Sequence, residues 1–238
     1  MSEYVHCLLP KLTSVIESNQ EALSQATDLF AQAIVNDNMI QILGTGHSHM
    51  IGLEGFIRAG GLGNINAVLD SVLLTNDGAR RGSAMEKLPG LAEVIWNDHT
   101  ISPNDVVMII SNSGRNALPV EFAQIAKSKG HVVIAITSVE QSSHYDSRHD
   151  SGLKLMDIAD VVIDNQVPPG DGLCTINGKV TGAFSSIAGM LIMNTLVVEA
   201  QKAALEQGVT PLIFSSQNVD GFDNDNVYQH FGSRLKSM

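Results

Sequence analysis

Asp105-Val106-Val107-Met108-Ile109-Ile110, followed by Ser111-Asn112-Ser113-Gly114-Arg115-Asn116, is the stretch on which the reading of this chain turns. Val106 to Ile110 is an unbroken apolar run rich in β-branched residues, the pattern of a strand buried on both faces of a parallel sheet. The six residues after it are small or polar and include Gly114. Ala117-Leu118-Pro119-Val120-Glu121-Phe122-Ala123 then begins a helical pattern, with a proline in the first turn where one is tolerated. A strand, a polar loop and a helix start bring backbone N–H groups and serine hydroxyls together where the helix dipole favours an anion. That arrangement suits a ligand carrying a phosphate. The plainer alternative is that every parallel strand must turn into its helix, and Ser, Asn and Gly are ordinary loop residues.

A second copy of the pattern lies upstream. Met39-Ile40-Gln41-Ile42-Leu43 is a short apolar run that enters Gly44-Thr45-Gly46-His47-Ser48-His49 before a helical stretch from Met50 to Gly61. Two such loops on neighbouring parallel strands open on one edge of the sheet.

Taken in order, the two loops resemble those of the sugar isomerase (SIS) domain family, whose members bind phosphosugars. Gly44, Gly46 and Ser48 match its Gly-x-Gly-x-Ser loop. Ser111, Ser113 and Gly114 match its Ser-x-Ser-Gly-x-Thr loop, with Asn116 in the threonine's place. The resemblance runs from about Gln20 to Gln207 and is to a stand-alone branch of the family. It implies an α/β fold, a three-layer αβα sandwich around a five-stranded parallel sheet. A helical arm (1–36) would precede the SIS domain (37–207), and a tail (208–238) would follow. The tail is either solvated or, because Phe222, Val227, Tyr228, Phe231 and Leu235 interleave with polar residues, docked on a neighbouring subunit, where His230 would act in that subunit's site.

For function, the resemblance implies an aldose–ketose or amino-sugar phosphate isomerase working through an enediol. Gly46, Ser48, Ser111, Asn112, Ser113, Gly114 and Asn116 would hold the phosphate, Asn116 by capping its helix and donating from its amide. Family isomerases place an acid/base glutamate on the helix after the first loop, which points to Glu54. Ile51-Gly52-Leu53-Glu54-Gly55 is similar to a helix in the isomerase half of glucosamine-6-phosphate synthase, with Arg58 at the position of a lysine and Gly61 at that of the main catalytic glutamate. On helical spacing Glu54 and Arg58 also form an i,i+4 pair, the plainer role. His47 or His49, near neutral in pKa, would open the sugar ring or move a proton. Arg58, Thr137, Ser138, Asp171 and Thr181 would shape the substrate, with Asp171 at the tip of a rigid Pro168-Pro169-Gly170-Asp171 turn. Arg80 and Arg81 sit in a polar loop that either reaches over the site or meets solvent. Two other readings are a phosphosugar lyase or epimerase and a phosphosugar-sensing module without catalysis.

At 238 residues, 44% hydrophobic and 16% charged, the chain suits one large α/β domain with a deep core. The low charge suggests surfaces covered by other subunits, and the resemblance implies a homodimer or homotetramer. A net charge of −11, with Arg80-Arg81 the sole adjacent basic pair, lacks a nucleic-acid footprint. Cys7 and Cys174 are distant in sequence and support neither a disulfide framework nor a metal motif, which suits the cytoplasm. The start of the chain does not read as a secretion signal. Ala183 to Val198 is apolar but interrupted by Ser185, Ser186 and Asn194, and is shorter than the ~20 residues of a membrane span. His144, Asp146, His149 and Asp150 offer nitrogen and oxygen ligands without a metal-binding spacing, so no metal and no cofactor are expected.

Among the secondary-structure expectations, Glu3 to Val35 reads as two helices or one kinked one, on the evidence of Pro10 and of the polar Ser18-Asn19-Gln20 between the two apolar stripes. Ala67 to Asp70 with Val72 to Leu74 reads as a strand, and Lys179 to Ala183 as the lead into the long apolar helix. Glu121, one turn into its helix, points either to the site or to solvent.

Overall fold

The structure is a computed structural model that describes residues 2–221 and 223–236. In chain order, α1 (Glu3–Ser18) and α2 (Gln20–Val35) lead into β1 (Ile40–Gly44) and α3 (His49–Gly55). Then come β2 (Ile65–Val68), α4 (Ala79–Met85), α5 (Leu91–Asn97), β3 (Val106–Ile110), α6 (Ala117–Ser128) and β4 (Val133–Thr137). After α7 (Val139–His144), α8 (Leu155–Ile158) and β5 (Val161–Asp164), a hairpin of β6 (Gly172–Ile176) and β7 (Lys179–Ala183) precedes α9 (Ser185–Glu206) and α10 (Asp225–Phe231).

The five parallel strands follow the order β2-β1-β3-β4-β5. Every residue of β1, β3 and β4 is buried, as their continuous apolar runs require. Successive side chains alternate between faces. Ile42, Met108, Ile110 and Ile134 meet Phe30 of α2 and Ile192 and Leu196 of α9, while Leu43, Val107, Ile109 and Ala135 meet Trp96 of α5 and Phe122 of α6. This is the expected αβα sandwich. At its strand-start edge Asp105 accepts from the Met39 amide (3.0 Å), the Ser102 amide (2.8 Å) and the Gln41 carboxamide (2.9 Å), tying the starts of β1 and β3.

His99 lies 8% exposed beside this cluster and its Nδ1 donates to the Ile95 carbonyl at 2.8 Å. Burial holds its pKa below the ordinary histidine value. The unfolded chain therefore takes up the proton first, so His99 costs no stability above about pH 6.5 and increasingly destabilises the fold as pH falls below it. Urea unfolding at pH 7.5 and 5.5 should show this loss, and His99→Gln should remove part of it.

Several expectations need correction, but Glu3 to Val35 forms two helices as one of the readings had it, the first running through Pro10 and breaking at Asn19. There the Asn19 carboxamide donates to the Val15 and Asp164 carbonyls (2.7 and 2.8 Å) and accepts from the Asp164 amide (2.8 Å), serving the open edge of β5 like a strand residue. β2 starts at Ile65, and Val72 to Leu74 is not a strand, because Asp70 accepts from the Val72 amide at 3.0 Å and turns the chain. Lys179 to Ala183 is half of a hairpin, turned by Asn177-Gly178 with φ of 50° and 73°. Cys7 and Cys174 are brought together where α1 packs on β6; burial first, then Glu3 and Cys7, pushes the Cys174 thiol up.

The tail docks on its own chain. Gly60 donates to Phe214 (2.7 Å) and Gly63 to Leu212 (2.8 Å), while Val227, Phe231 and Leu235 pack with Met39 and Phe214. His230 meets Asp37 of the same chain at 2.7 Å, at the strand-start edge of the sheet. Phe222 lies outside the described residues.

Candidate functional site

Strand order reverses direction between β1 and β3, and their following helices go to opposite faces: α3 puts Ile51 in the core layer of α9, α6 puts Leu118 and Phe122 in the layer of α5. The carboxyl ends of β1 and β3 are therefore the switch point at which open parallel sheets take their ligands in a crevice. Both polar loops leave the sheet there.

Each loop turns on a left-handed glycine, Gly46 (φ 55°) in the first and Gly114 (φ 59°) in the second. Gly44 allows the first loop to fold back on itself, since a Cβ there would stand 2.4 Å from the Ser48 carbonyl oxygen. In the second loop the Gly114 amide donates to Ser111 Oγ at 3.2 Å and its carbonyl accepts from Leu155 at 2.8 Å. Among the described residues, no group accepts from the amides of Gly46, His47, Ser113, Arg115 or Asn116. Left-handed turns with unspent amides beside helix starts form the concavity that binds anions. Ser48 and Ser113 are half-buried within it.

The sequence comparison fits this geometry: the model of the SIS domain family matches residues 3–138. The chain belongs to the SIS domain family. A UPF0309 protein of Halalkalibacterium halodurans is 38% identical over 224 residues, covering 92% of this chain and 93% of the relative. One from Geobacillus kaustophilus is 36% identical, with 95% and 91% covered. Among solved structures, a phosphoheptose isomerase from Francisella tularensis superposes with a TM-score of 0.53 at 15% identity, covering 85% of this chain and 100% of that one. The phosphoheptose isomerase GmhA of Neisseria gonorrhoeae gives 0.51 at 20%, covering 80% and 91%. At such identities the likeness is one of fold.

Around the crevice of this SIS domain, the candidate residues divide. His49 Nδ1 contacts the Gly46 carbonyl, which can only accept, so Nδ1 is the donor there and Nε2 is the ring nitrogen left for a ligand. His47 is exposed. Glu54 is bound by Arg58 and by Asn194 Nδ2 (2.7 Å) of α9. Because α3 ends at Gly55 rather than Gly61, Arg58 reaches Glu54 from beyond the helix. Six residues of helix rise, about 9 Å, separate Glu54 from Ser48.

Other candidates build the scaffold. Thr137 and Ser138 are fully buried. Thr137 Oγ1 donates to Asn112 O (3.2 Å), and Ser138 Oγ donates to Val167 O (2.6 Å) while accepting from the Gln141 amide (3.0 Å). Asn112 Oδ1 accepts from Asn165 at 2.8 Å, joining the second loop to the end of β5. Asn116 stands at the N-cap of α6 without capping it; its Nδ2 donates to Glu86 Oε1 (2.5 Å) and its Oδ1 accepts from Arg148 (3.0 Å). Glu121 points neither to the crevice nor to solvent, accepting from the Gly90 amide (2.9 Å) and facing His149 Nε2 at 3.6 Å. Thr181 is exposed on β7. Among the described residues no group of three or more His, Cys, Asp or Glu is gathered as a metal site, and no helix is long and apolar enough to cross a membrane.

Asp171 is the cap of α9. Its carboxylate accepts from the Phe184 and Ser185 amides (3.1 and 2.8 Å) and from Ser185 Oγ (2.7 Å). Asp171→Ala should cost about 1–3 kcal/mol by leaving this helix start unsatisfied, measured by urea unfolding, with Asp171→Asn losing less.

Sequence reasoning passed over Glu86, Tyr145 and Arg148, which the fold sets against the second loop. Arg115 was quoted only as a loop residue; its guanidinium stacks 5.0 Å above the Tyr145 ring. A local signal existed for Arg115 alone, a cation inside a phosphate-type loop.

Proposed function

We propose that the protein binds a sugar phosphate in the β1/β3 crevice and interconverts its aldose and ketose forms, amino-sugar phosphates included, through an enediol. The supporting observation is the pair of left-handed glycine loops with unspent amides at the point where strand order reverses. The phosphate takes those amides with Ser48 and Ser113, so anchoring energy positions carbons that react elsewhere. In the forward direction His49 Nε2 accepts the anomeric hydroxyl proton and the ring oxygen takes one from solvent as the ring opens. Glu54, held in place by Arg58 and Asn194, removes the C2 proton while His49 returns its proton to O1, giving the enediol; Glu54 then delivers its proton to C1 as the O2 hydroxyl loses its own to solvent, which completes the ketose.

The reading includes a homodimer or homotetramer in the cytoplasm, without nucleic acid or membrane as partner. Ile187, Val198 and Leu205 of α9 are exposed on the side away from its core stripe, with Leu53 of α3 also exposed. Velocity sedimentation should show a single species of at least two chains.

A sensor that binds without turnover is the second reading, favoured because the Glu54 carboxylate is already occupied by two donors. Incubating aldose phosphates with the protein in deuterated water separates them. Isomerisation predicts a ketose signal with deuterium at its C1, and deuterium at C2 of the re-formed aldose, by NMR, all lost in Glu54→Gln with binding retained. Binding without exchange in the wild type would instead make it a sensor, and a cleaved product or an epimer a lyase or epimerase.

A further inference from the structure

Asn116 is 6% exposed, and both ends of its carboxamide are used on residues far away in sequence, Glu86 and Arg148. Glu86 directly follows α4, and its own carbonyl accepts from the Leu118 amide at 3.1 Å in the first turn of α6. Arg148 belongs to the excursion between α7 and α8, and its amide donates to the Arg115 carbonyl at 2.8 Å. Arg115 holds the same excursion by stacking on Tyr145. Two consecutive residues of the second loop thus grip a segment on either side.

The segment gripped through Glu86 is the one that carries charge. α4 packs against the Gly46–Ser48 turn of the first loop, and its Arg80 and Arg81 are exposed. In a chain of net charge −11, an anionic substrate needs such a local cationic element.

We infer that Asn116 is a positioning residue rather than a phosphate ligand: it clamps α4 and the 145–154 excursion to the second loop so that α4 brings Arg80 and Arg81 over the bound phosphate. The role of the clamp rests on the crevice being the sugar-phosphate site, whereas the clamp itself does not. A phosphate ligand would have its amide open to the crevice. Here Nδ2 is spent on the Glu86 carboxylate.

Two measurements on the full chain test this. Hydrogen exchange without ligand should show the amides of 79–86 and of 145–154 exchanging about tenfold faster in Asn116→Ala. Only the first segment should be affected in Glu86→Ala, and only the second in Arg148→Ala. Unchanged exchange of both segments in Asn116→Ala would overturn the clamp. For the role, KM for the sugar phosphate should rise about tenfold in Asn116→Ala and in Glu86→Ala, rise no further in the double variant, and change more than kcat does. Arg80→Ala/Arg81→Ala should match that rise without altering exchange at 145–154. A silent Glu86→Ala beside a disabled Asn116→Ala would make Asn116 a direct ligand and overturn the inference. A wild type that binds no sugar phosphate would refute the proposed function and the clamp's role with it, leaving the exchange result to decide the clamp alone.

Discussion

Ser113→Asp should abolish the proposed sugar-phosphate binding while leaving the fold intact. Ser113 is half-buried in the second loop, and among the described residues its hydroxyl has no hydrogen-bond partner, so the substitution breaks nothing already made. It places a carboxylate where the proposed site would hold the phosphate. Two unit charges 4 Å apart repel by about 4 kcal/mol at an effective dielectric constant of 20, which is roughly a thousandfold in affinity. Calorimetric titration of wild type and variant with the same sugar phosphate reads this directly, with the thermal midpoint as control for folding. Equal affinities would mean that the loop is an ordinary strand-to-helix connection. Ser111→Ala is a less clean probe, because Ser111 Oγ also accepts the Gly114 amide and supports the loop's shape.

Gly44→Ala should be the most damaging single methyl in the molecule's active half. The added carbon would lie 2.4 Å from the Ser48 carbonyl oxygen, 2.5 Å from its carbon and 2.8 Å from the His49 nitrogen, all backbone atoms. Neither side can yield easily, because β1 is buried along its whole length and the Ser48 segment opens α3. The cost lies at or beyond the upper end of ordinary overpacking, about 3 kcal/mol or more, a fall in Tm of roughly 6–12 °C for a domain of this size. Binding should be lost as well, since Ser48 and His49 are the atoms displaced. Gly46→Ala is the control: its φ of 55° is strained for alanine, but nothing lies within 4 Å of the new carbon. Its cost should be about 1–2 kcal/mol from backbone conformation alone. Scanning calorimetry of the two variants checks the order, and a Gly44→Ala as stable as Gly46→Ala would show the first loop to be softer than described.

The central strands and both glycine loops were legible in the sequence because their signals are local. A parallel strand covered on both faces must be continuously apolar, as Val106 to Ile110 is, and a tight turn into a helix needs glycine where φ is positive. β2 was misaligned, with Asn64 to Thr75 read as one strand centred on Ala67 to Asp70, past Asn64 and Asn66. Both are in fact buried, and Asn66 donates to Gln41 on the adjacent strand at 2.7 Å. The hairpin was missed although Asn177-Gly178 announces it, since the following residues were read as the approach to α9. Side-chain roles at the site were less legible. Thr137, Ser138, Asp171 and Asn116 all carry polar groups suited to a substrate, yet each is committed to a contact 13 or more residues away that only the folded chain creates. Hydrogen-bonding capacity can be read from residue type, but whether it is already used depends on tertiary structure. The tail shows the same limit: its alternating apolar residues signalled docking, and the fold showed that the docking surface is the chain's own strand-start edge.

That edge also offers the strongest competitor to the crevice as a binding site, a cavity of about 340 Å³ lined by Leu62, Pro211 and Phe231 with Asp37 and His230 at its polar side. Burial pushes the Asp37 carboxyl up, but bonds from His230 and Arg234 outweigh it and hold the pKa below the usual range. A crystal structure of the protein soaked with the sugar phosphate that stabilises it most therefore decides the matter. The phosphate should lie between Gly46–Ser48 and Ser111–Asn116, within hydrogen-bond distance of the Gly46 and Ser113 amides. A phosphate seated instead against Asp37 and His230, on the opposite edge of the sheet, would contradict the account.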